Sequence, residues 1–508
     1  MKKVLTAVAL LSLSLPVAAQ AMEFQTPGTL GMGRVGVART TDAYAAFWNP
    51  AGLAFYEKAF SAKFNAGVGV AINEALADNV DKIGKLDLDK LSYTTGDSQQ
   101  AALESTAQAV QALAIIDDID KTGGDLTVNV DLALAFQYKN FAFGIGGASE
   151  VGAGDVKVDR ANLRTGNSSI STTNALSNIN SLVQDMNGGT LPTVAPGFNN
   201  LYFSNTQWTD VVNLIIAQTG ATPAVAQTLA NNVATELANS NTPQAGLTPD
   251  QVVSGLDLAA QSFSGGSIDD NNSTVDLVGI ALVEIPVSYG HKFDLGAFGF
   301  LGLGATVKVM HATVYSKEAL IFKDFEDGSS DFTDKVKDSK SDSTNFGIDL
   351  GALWRFGETM PVNVGFVAKN LNSPTFDGPV DSTNVTKKYD DIKIKPQARV
   401  GVAVDPLSWL SIAADMDVTK NNTVMKGKDS QNLGAGLEAH WSYAALRLGA
   451  YKNLAESSAK PVITAGIGIG PHWLRLDIDG AASTGKGEYD GKSYPREAKV
   501  EFGLSTAF

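Results

Sequence analysis

Apolar and polar residues alternate with a period of two in many parts of the chain. In Asp125–Tyr138 (DLTVNVDLALAFQY) the even positions are apolar and most odd positions are polar or small. Successive side chains of a β-strand point to opposite faces, so this pattern predicts a strand with one apolar face. The same alternation recurs in PVNVGFVAKN, LSIAADMDV and WLRLDID.

The number of such segments favours a large sheet. Most of them are long enough to cross a bilayer as tilted strands, which takes about 9 to 11 residues. We predict about fourteen strands, at roughly residues 58–71, 125–138, 141–153, 274–290, 297–313, 344–356, 361–370, 395–404, 408–419, 429–441, 443–452, 460–469, 471–480 and 496–508.

Short and long connections alternate between these strands. Tight links such as HKFDLG, GETM and DPLS follow every second strand, and the other links are longer. A soluble β-sandwich gives no reason for this asymmetry, whereas bacterial transmembrane barrels have an even strand number with short periplasmic turns and long extracellular loops. The sequence therefore predicts an all-β fold, a transmembrane antiparallel barrel of about 14 strands (12–16) in the outer membrane, with both termini periplasmic.

Charged residues within the predicted strands fall on the less apolar face. An Arg or Lys that faces lipid at mid-depth costs about 2 to 4 kcal/mol, so these side chains are expected to face the lumen. Aromatic residues gather at the end with short turns, where an interfacial girdle is expected. The charged residues are Asp131, Glu284, Lys308, Asp349, Arg355, Lys369, Arg399, Asp415, Asp417, Glu438, Arg447, Arg475 and Lys499, and the aromatic residues are Tyr138, Phe141, Phe356, Trp441 and Tyr443.

Catalytic and cofactor chemistry finds little support. The chain has no cysteine and four histidines, with no HExxH motif and no G-x-S-x-G elbow. Glu438 and His440 share one face of a predicted strand and Arg447 lies on the next, which fits a lumenal charge network or an esterase centre. Charges inside a barrel must be paired or hydrated, so we predict the network, and no enzyme, metal or cofactor. The net charge of −15 disfavours nucleic acid as a partner.

The two ends of the chain carry export and assembly signals. Lys2 and Lys3, an apolar run and an Ala-x-Ala site at residues 19–21 form a signal peptide over residues 1–21, so the mature chain is expected to begin near Met22. The last residue, Phe508, ends an alternating strand. A terminal Phe in this position resembles the signal that the outer-membrane barrel assembly machinery recognises. The expected surroundings are outer-membrane lipid and lipopolysaccharide.

Three long insertions interrupt the strands, at residues 72–124, 154–273 and 314–343. Thr222-Pro223 begins a predicted helix, and Thr248-Pro249-Asp250-Gln251 is a capping box that opens another. The insertions are expected to be surface elements that pack on themselves, or else a lid or partner-binding head over the barrel mouth.

Three sequence stretches carry a family resemblance. They are GMGRVGVARTTDAYAAFWNPAGL (31–53), EIPVSYGHKF (284–293) and LGATVKVM (303–310). With them the chain resembles the plasmid-transfer TraF-like family, exported proteins that share the layout of FadL-type outer-membrane proteins. FadL-type proteins transport long-chain fatty acids and other hydrophobic molecules, and a fourteen-stranded barrel encloses their N-terminal plug.

The resemblance implies that residues 22–57 form an N-terminal plug and residues 58–508 the barrel. Asn49, Pro50, Ala51 and Gly52 match the turn of the family's plug, and would set its shape or its gating. Proline fixes the backbone and small residues permit a tight turn, while an Asn side chain can cap it.

Two functions follow from this resemblance. The first is a passive channel for hydrophobic molecules such as fatty acids, with a hydrophobic small molecule as ligand. The second is a scaffold that transports nothing and acts through its loops in conjugal transfer, attachment or assembly. An apolar tunnel beside the plug would favour the channel, and a polar, sealed lumen would favour the scaffold.

Overall fold

The structure is a computed structural model in which most of the chain is described. The predicted signal peptide, residues 1–21, lies outside this part. The described residues are 23–24, 26–85, 114–115, 117–121, 123–159, 162, 197–198, 202–239, 250, 270–320, 338–357, 360–382, 384–425, 427–471, 473–489 and 491–508.

Fourteen antiparallel strands form a closed barrel, which confirms the predicted fold class. Each strand pairs with its neighbours in the sequence, and the last strand pairs with the first to close the barrel. The strands are β1 (Phe60–Ile72), β2 (Leu126–Tyr138), β3 (Phe141–Lys157), β4 (Thr274–Asp294), β5 (Phe300–Leu320), β6 (Lys340–Phe356), β7 (Val362–Lys369), β8 (Gln397–Leu407), β9 (Leu410–Asp417), β10 (Asn432–His440), β11 (Ala444–Asn453), β12 (Val462–Ile469), β13 (Arg475–Ser483) and β14 (Glu497–Ala507).

The outer face of the barrel is apolar. Large apolar side chains are exposed along the strands, as lipid contact requires. Examples are Val68, Phe143, Val287, Val307, Leu350, Val402, Leu437, Leu448, Ile463 and Phe502. The charges that were assigned to the inner faces are buried, except Arg355, Arg475 and Lys499, which are half-buried.

The two ends of the barrel differ as the sequence predicts. The short turns and the C-terminus lie at one end, called here the turn end, and the long connections lie at the other, the loop end. Tyr138, Phe141, Trp441 and Tyr443 are exposed at the turn end. Phe356, of the same predicted girdle, is half-buried.

Strands β4 and β5 are the longest, with 21 residues each. At about 3.3 Å per residue they are roughly twice as long as the hydrocarbon core of a bilayer is thick. The insertion predicted at 314–343 is therefore shorter at both ends, since β5 continues to Leu320 and β6 begins at Lys340. The prediction missed these ends because pairing with β4 and β6, rather than apolar alternation, holds YSKEAL in the sheet.

The described part of the first two insertions contains three α-helices whose bounds the structure defines. They are α1 (Glu74–Lys85), α2 (Asn205–Thr219) and α3 (Pro223–Asn239), and α3 begins at the predicted proline. Helices α2 and α3 bury a small apolar core of their own around Trp208. Apart from Asp250, the predicted capping box at residues 248–251 lies outside the described residues. None of the described helices is long and apolar enough to cross a membrane.

Candidate functional site

The N-terminal segment, residues 23–57, lies inside the barrel. It forms three short 3-10 helices, Leu30–Met32, Ala43–Ala46 and Pro50–Phe55, and their residues are buried. Trp48 is fully buried, and its ring nitrogen donates to the carbonyl of Pro27 at 3.1 Å. The segment therefore fills the lumen as a compact, irregular body that the barrel wall surrounds.

Two wall carboxylates bind backbone N–H groups of this segment. Asp415 of β9 accepts from Gly36 at 2.7 Å and from Val37 at 2.9 Å through one oxygen. Glu501 of β14 accepts from Gly28 and Leu30 at 2.9 and 3.1 Å. Such charge-assisted hydrogen bonds are about twice as strong as neutral ones, so they hold a segment with few regular hydrogen bonds of its own.

Asn49 caps its turn and also binds the wall. Its Oδ1 accepts from the backbone N–H of Ala51 at 3.1 Å. Its Nδ2 donates to the carbonyls of Val37 and of Ala352 on β6, both at 3.0 Å. Pro50 occupies the first position of the 3-10 helix. A Cβ at Gly52 would lie 2.1 Å from the carbonyl oxygen of Thr40, so the turn accepts only glycine there.

Inward-facing glycines of the wall make room for the segment. A Cβ at Gly304 would lie 2.3 Å from both the carbonyl carbon of Pro50 and the nitrogen of Ala51. A Cβ at Gly434 would lie 2.1 Å from the carbonyl oxygen of Gly33. Real Cβ atoms are not found at such distances, so backbone of the segment and backbone of the wall are in direct contact at these positions.

The predicted charge network is larger than its three predicted members. Arg447 lies 2.6 Å from Glu438, 2.7 Å from Asp477 and 3.3 Å from Asp479, so one cation joins three strands. Arg39 of the N-terminal segment also pairs with Glu438, at 2.9 Å. The sequence alone missed Asp477 and Asp479, although their inward face follows from the alternation in β13.

His440 lies at the edge of this network. Its Nδ1 is 4.0 Å from Glu438 and is buried without a hydrogen-bond partner. A serine–histidine–carboxylate centre requires a hydrogen-bonded nucleophile, and the histidine has no such contact here. The charges pair with one another instead, as the lumenal network requires.

Two further lumenal lysines are paired in the same way. Lys308 lies between Glu284 at 3.1 Å and Asp349 at 3.2 Å. Lys499 pairs with Asp131. Ion pairs therefore line part of the inner wall of the barrel.

The pair formed by Glu23 and Arg34 stabilises the start of the segment. Arg34 lies 2.8 Å from Glu23. Burial acts to raise the pKa of Glu23, but the charge and hydrogen bond of Arg34, with smaller contributions from Lys499 and Ser430, together hold the pKa below its ordinary value. The carboxylate is therefore ionised at neutral pH, and the ion pair persists inside the barrel.

Phe508 ends β14 at the turn end. Its ring stacks on Phe60 with centroids 6.4 Å apart, and its backbone N–H donates to the carbonyl of Phe60 at 3.0 Å. The side chain is 64% exposed. It closes the seam between the first and last strands and remains accessible to a partner.

Pro286 interrupts the hydrogen-bond ladder between β3 and β4. Residues 144–145 and 285–286 are unpaired, although the pairing on both sides has the same register. Toward β5, Pro286 stays in register opposite Lys308. Proline has no N–H to donate to a ladder, so the wall lacks a hydrogen bond at this point.

Phe47 of the N-terminal segment covers the interruption from inside. A Cβ at Gly146 would lie 2.5 Å from its ring, and one at Gly144 would lie 3.2 Å from it. Beside the ring lies a cavity of about 20 Å³, lined also by Leu132, Ala133 and Glu284. The alternation of apolar and polar residues does not distinguish Phe47 or Pro286, although a proline within a strand pattern is itself a signal.

A larger cavity of about 170 Å³ lies toward the loop end of the lumen. Lys499 lines both this cavity and the smaller one. Two short hairpins, Thr375–Phe376 with Ile392–Lys393 and Asn421–Asn422 with Asp429–Ser430, contribute apolar side chains that pack nearby against the inner faces of β4 and β5. These side chains are Phe376, Ile392, Ile394, Val424 and Met425.

Among the described residues, no group of three or more His, Cys, Asp or Glu side chains is placed to hold a metal ion. The described residues form a filled lumen whose wall has an interrupted ladder between β3 and β4.

Solved structures with a similar layout include the toluene transporter TbuX of Ralstonia pickettii, at 12% identity and a TM-score of 0.41, covering 96% of this chain and 99% of that one. The toluene transporter TodX of P. putida is 10% identical, with a TM-score of 0.40 and coverage of 97% and 99%. A FadL homologue of Pseudomonas aeruginosa is 12% identical, with a TM-score of 0.41 and the same coverage. A comparison with curated proteins finds no matching sequence.

One family model matches this chain over residues 46–417, which is more than half of its length. The match begins within the N-terminal segment and ends in β9. It confirms the resemblance that the sequence motifs indicated. The chain therefore belongs to the family described as the F plasmid transfer operon TraF protein.

Proposed function

We propose that the protein is a non-enzymatic barrel of the bacterial outer membrane that passes small hydrophobic molecules passively. In this proposal both termini are periplasmic, and the N-terminal segment is a plug. The observation that carries the proposal is the unpaired wall at residues 144–145 and 285–286, which Phe47 covers from inside.

The environment of this interruption suits an apolar solute. On the outside, Ile145 and Ile285 are each 47% exposed on the lipid-facing surface. On the inside, Phe47 and Ala133 border the small cavity together with the charged side chains of Asp131, Glu284 and Lys499. A hydrophobic molecule that leaves sideways past the ring of Phe47 would enter lipid directly.

Passage straight through the lumen is less favourable. The ion pairs of Lys308, Arg447 and Lys499 and the N-terminal segment occupy the barrel centre. An apolar solute on that path would have to displace buried charges from their partners, which is costly. A sideways exit requires that Phe47 move and that the wall open between β3 and β4, and Asn49 and Pro50 would set how far Phe47 can move.

Uptake of radiolabelled toluene and oleate tests the proposal. The protein is expressed in a bacterial host without its own hydrophobic channel, and faster gel migration of unheated than of boiled protein confirms that the barrel is folded. We expect uptake above the empty-vector level, and higher uptake with Phe47→Ala. Phe55→Ala is the matched control, because it removes a buried ring of the same segment that lies at the turn end.

The scaffold function remains a second candidate because the closed lumen is polar and filled. The self-packed helices α2 and α3 in the long insertion also fit a partner-binding role. If folded wild type and Phe47→Ala both fail to raise uptake of either solute, the channel proposal is wrong and the loops become the functional surface.

A further inference from the structure

Lys499 lies at the boundary between the two lumenal cavities. It lines both of them, whereas its ion-pair partner Asp131 lines only the smaller one. Lys308 and Arg447, which also form buried ion pairs, line neither cavity. The pair of Lys499 and Asp131 therefore differs from these two by its place, since it lies where the two cavities come together.

The inner wall gives the order of these features along the barrel. Strands β2 and β14 both run from the loop end to the turn end, on either side of β1. Asn129 and Glu497, two residues before Asp131 and Lys499 on the same faces, line the larger cavity. Ala133, two residues after Asp131, lines the smaller one. The ion pair therefore lies between the larger cavity toward the loop end and the smaller cavity beside the wall interruption.

Two glycines of β1 let the ion pair close over this strand. Gly67 is opposite Asp131 in the register, and Gly69 is opposite Lys499. A Cβ at Gly67 would lie 2.7 Å from Oδ2 of Asp131, and one at Gly69 would lie 3.3 Å from Cβ and Cγ of Lys499. Because β1 has no side chain at these two positions, the side chains of Lys499 and Asp131 themselves cover its inner face.

We propose that the ion pair of Lys499 and Asp131 is an inner gate on the route from the larger cavity to the wall interruption. The inference rests on the proposed channel, in which a hydrophobic solute leaves past Phe47. The two barriers act in series, since Lys499 must move before a solute reaches the smaller cavity and Phe47 must move before it reaches the wall. Benzene occupies a cavity of about 150 Å³. The smaller cavity, at about 20 Å³, therefore admits such a solute only after these side chains have moved.

A second carboxylate lowers the cost of opening this gate. Glu497 lies two residues from Lys499 on the same face of β14, which is about 6.6 Å along a strand, and it lines the larger cavity. Lysine has a flexible four-carbon stem, so its ammonium can turn from Asp131 toward Glu497 and keep a charged partner. Asp131 keeps its hydrogen bond from Asn65, at 3.3 Å. The gate therefore opens without leaving an unpaired ammonium in the lumen, which would be costly.

Thiol labelling tests the gate without relying on transport. Ala133→Cys places the single thiol of the chain in the smaller cavity, and Ala71→Cys places it in the larger one. The purified protein, whose folding is checked by its gel migration, is treated with methyl methanethiosulfonate, a small neutral thiol reagent. The rate of labelling is followed by intact mass.

Three double variants are combined with each thiol. Lys499→Ala with Asp131→Asn removes the stem that closes the passage and the charge of its partner. Lys499→Met with Asp131→Asn removes the same two charges but keeps a long side chain. Lys428→Ala with Asp125→Asn is the matched control, because it removes a paired lysine and aspartate from the larger cavity and leaves the boundary between the cavities intact.

We expect the Ala133→Cys thiol to react about tenfold faster in Lys499→Ala with Asp131→Asn, which corresponds to about 1.4 kcal/mol. It should react clearly more slowly in the methionine variant, and at the original rate in the control. The Ala71→Cys thiol should react at one rate throughout. Unchanged labelling of the Ala133→Cys thiol in the alanine variant, or equally fast labelling in the alanine and methionine variants, overturns the gate. Equal rates for the two thiols in otherwise unchanged protein also overturn it, and this comparison decides even if the double variants do not fold.

Toluene uptake separates the gate from the channel. With a working channel, uptake should rise in Lys499→Ala with Asp131→Asn and stay unchanged in the Lys428 control. If labelling responds as expected but uptake stays at the empty-vector level in every folded variant, the gate is present and the channel proposal fails. If wild type takes up toluene and labelling does not respond, the channel stands and the gate is overturned.

Discussion

The amide nitrogen of Asn49 lies 3.0 Å from the carbonyl oxygen of Ala352 and donates a hydrogen bond to it. This contact joins the turn of the N-terminal segment to β6, across 303 positions of the sequence. The same side chain caps its own turn through Ala51. Asn49 therefore connects the internal shape of the segment with its attachment to the wall.

Asn49→Ala is expected to loosen the segment without unfolding the barrel. The change leaves the buried groups on Ala51, Val37 and Ala352 without partners, at a cost of about 1 to 3 kcal/mol. Trypsin cleavage at Arg34 and Arg39 should become at least about fivefold faster, while the folded barrel keeps its fast gel migration. Glu57→Ala, an exposed change at the end of the segment, serves as the control. Unchanged cleavage in Asn49→Ala would show that these bonds do not hold the segment.

Gly304→Ala is expected to displace the segment by steric overlap. The new methyl group would meet the backbone of Pro50 and Ala51, which cannot yield as a flexible side chain does. Overpacking of this kind costs about 1 to 3 kcal/mol. Gly480→Ala is the matched control, because a Cβ there has nothing within 4 Å. Equal tryptic cleavage of the segment in the two variants would contradict close packing of segment and wall.

The attachment of the segment is expected to weaken in acid. The pKa of Glu23 is held below its ordinary value of 4.5, because burial, which raises it, is outweighed by Arg34 together with Lys499 and Ser430. A lowered carboxyl pKa stabilises the folded state above about pH 4.5, and this contribution is lost as the pH falls through the folded value. Hydrogen exchange of residues 28–40, corrected for intrinsic rates, should rise relative to the barrel strands between pH 5 and pH 3. In Glu23→Gln these residues should exchange faster at pH 6, and their exchange should no longer rise between pH 5 and pH 3. A rise in exchange as steep as in wild type would exclude Glu23 as the cause of the pH dependence.

Arg447→Met is expected to destabilise the barrel itself. It leaves Glu438, Asp477 and Asp479 without their shared cation, and losing one partner of a buried ion pair typically costs about 3 to 5 kcal/mol. The temperature at which the folded gel band disappears should fall clearly. Lys388→Met breaks the exposed pair with Asp391 and should change little. Similar temperatures for both variants would mean that the lumenal network is dispensable.

The strands could be predicted from the sequence because each shows its two faces within a few residues. All fourteen predicted segments correspond to barrel strands. Errors of four residues occur at the turn ends of β4 and β13 and at the loop ends of β3 and β6, and the largest error, seven residues, lies at the loop end of β5. There the strands extend beyond the bilayer thickness, so charged residues such as those of YSKEAL are tolerated on either face. Pairing with a neighbouring strand, which no local pattern reveals, keeps these residues in the sheet.

The site could be predicted only in part. Glu438 and Arg447 were found together because they face inward on adjacent strands joined by a short turn. The roles of Arg39 and Phe47 depend on where an irregular segment lies inside the barrel. The wall carboxylates and glycines that contact this segment are far from it in the sequence and follow no regular spacing. No local pattern in the sequence therefore predicts these contacts.

The most direct test of the proposed channel is a disulfide across the wall interruption. Ile145→Cys and Ile285→Cys place two outward thiols opposite each other, and the chain has no other cysteine. Directly opposed residues of an antiparallel pair alternate between a hydrogen-bonded and a non-hydrogen-bonded position, and the Cα atoms are closer in the second. With Gly144 and Pro286 at the hydrogen-bonded position, Ile145 and Ile285 form the closer pair, which suits a disulfide. A second staple, Leu437→Cys with Leu448→Cys, joins β10 and β11 elsewhere in the wall and serves as the control.

Toluene and oleate uptake would be measured in cells with each staple oxidised and then reduced. We predict that oxidation of the Ile145–Ile285 staple abolishes uptake and reduction restores it, whereas the control staple has no effect. Full uptake through a barrel whose Ile145–Ile285 staple is completely oxidised would contradict passage between β3 and β4.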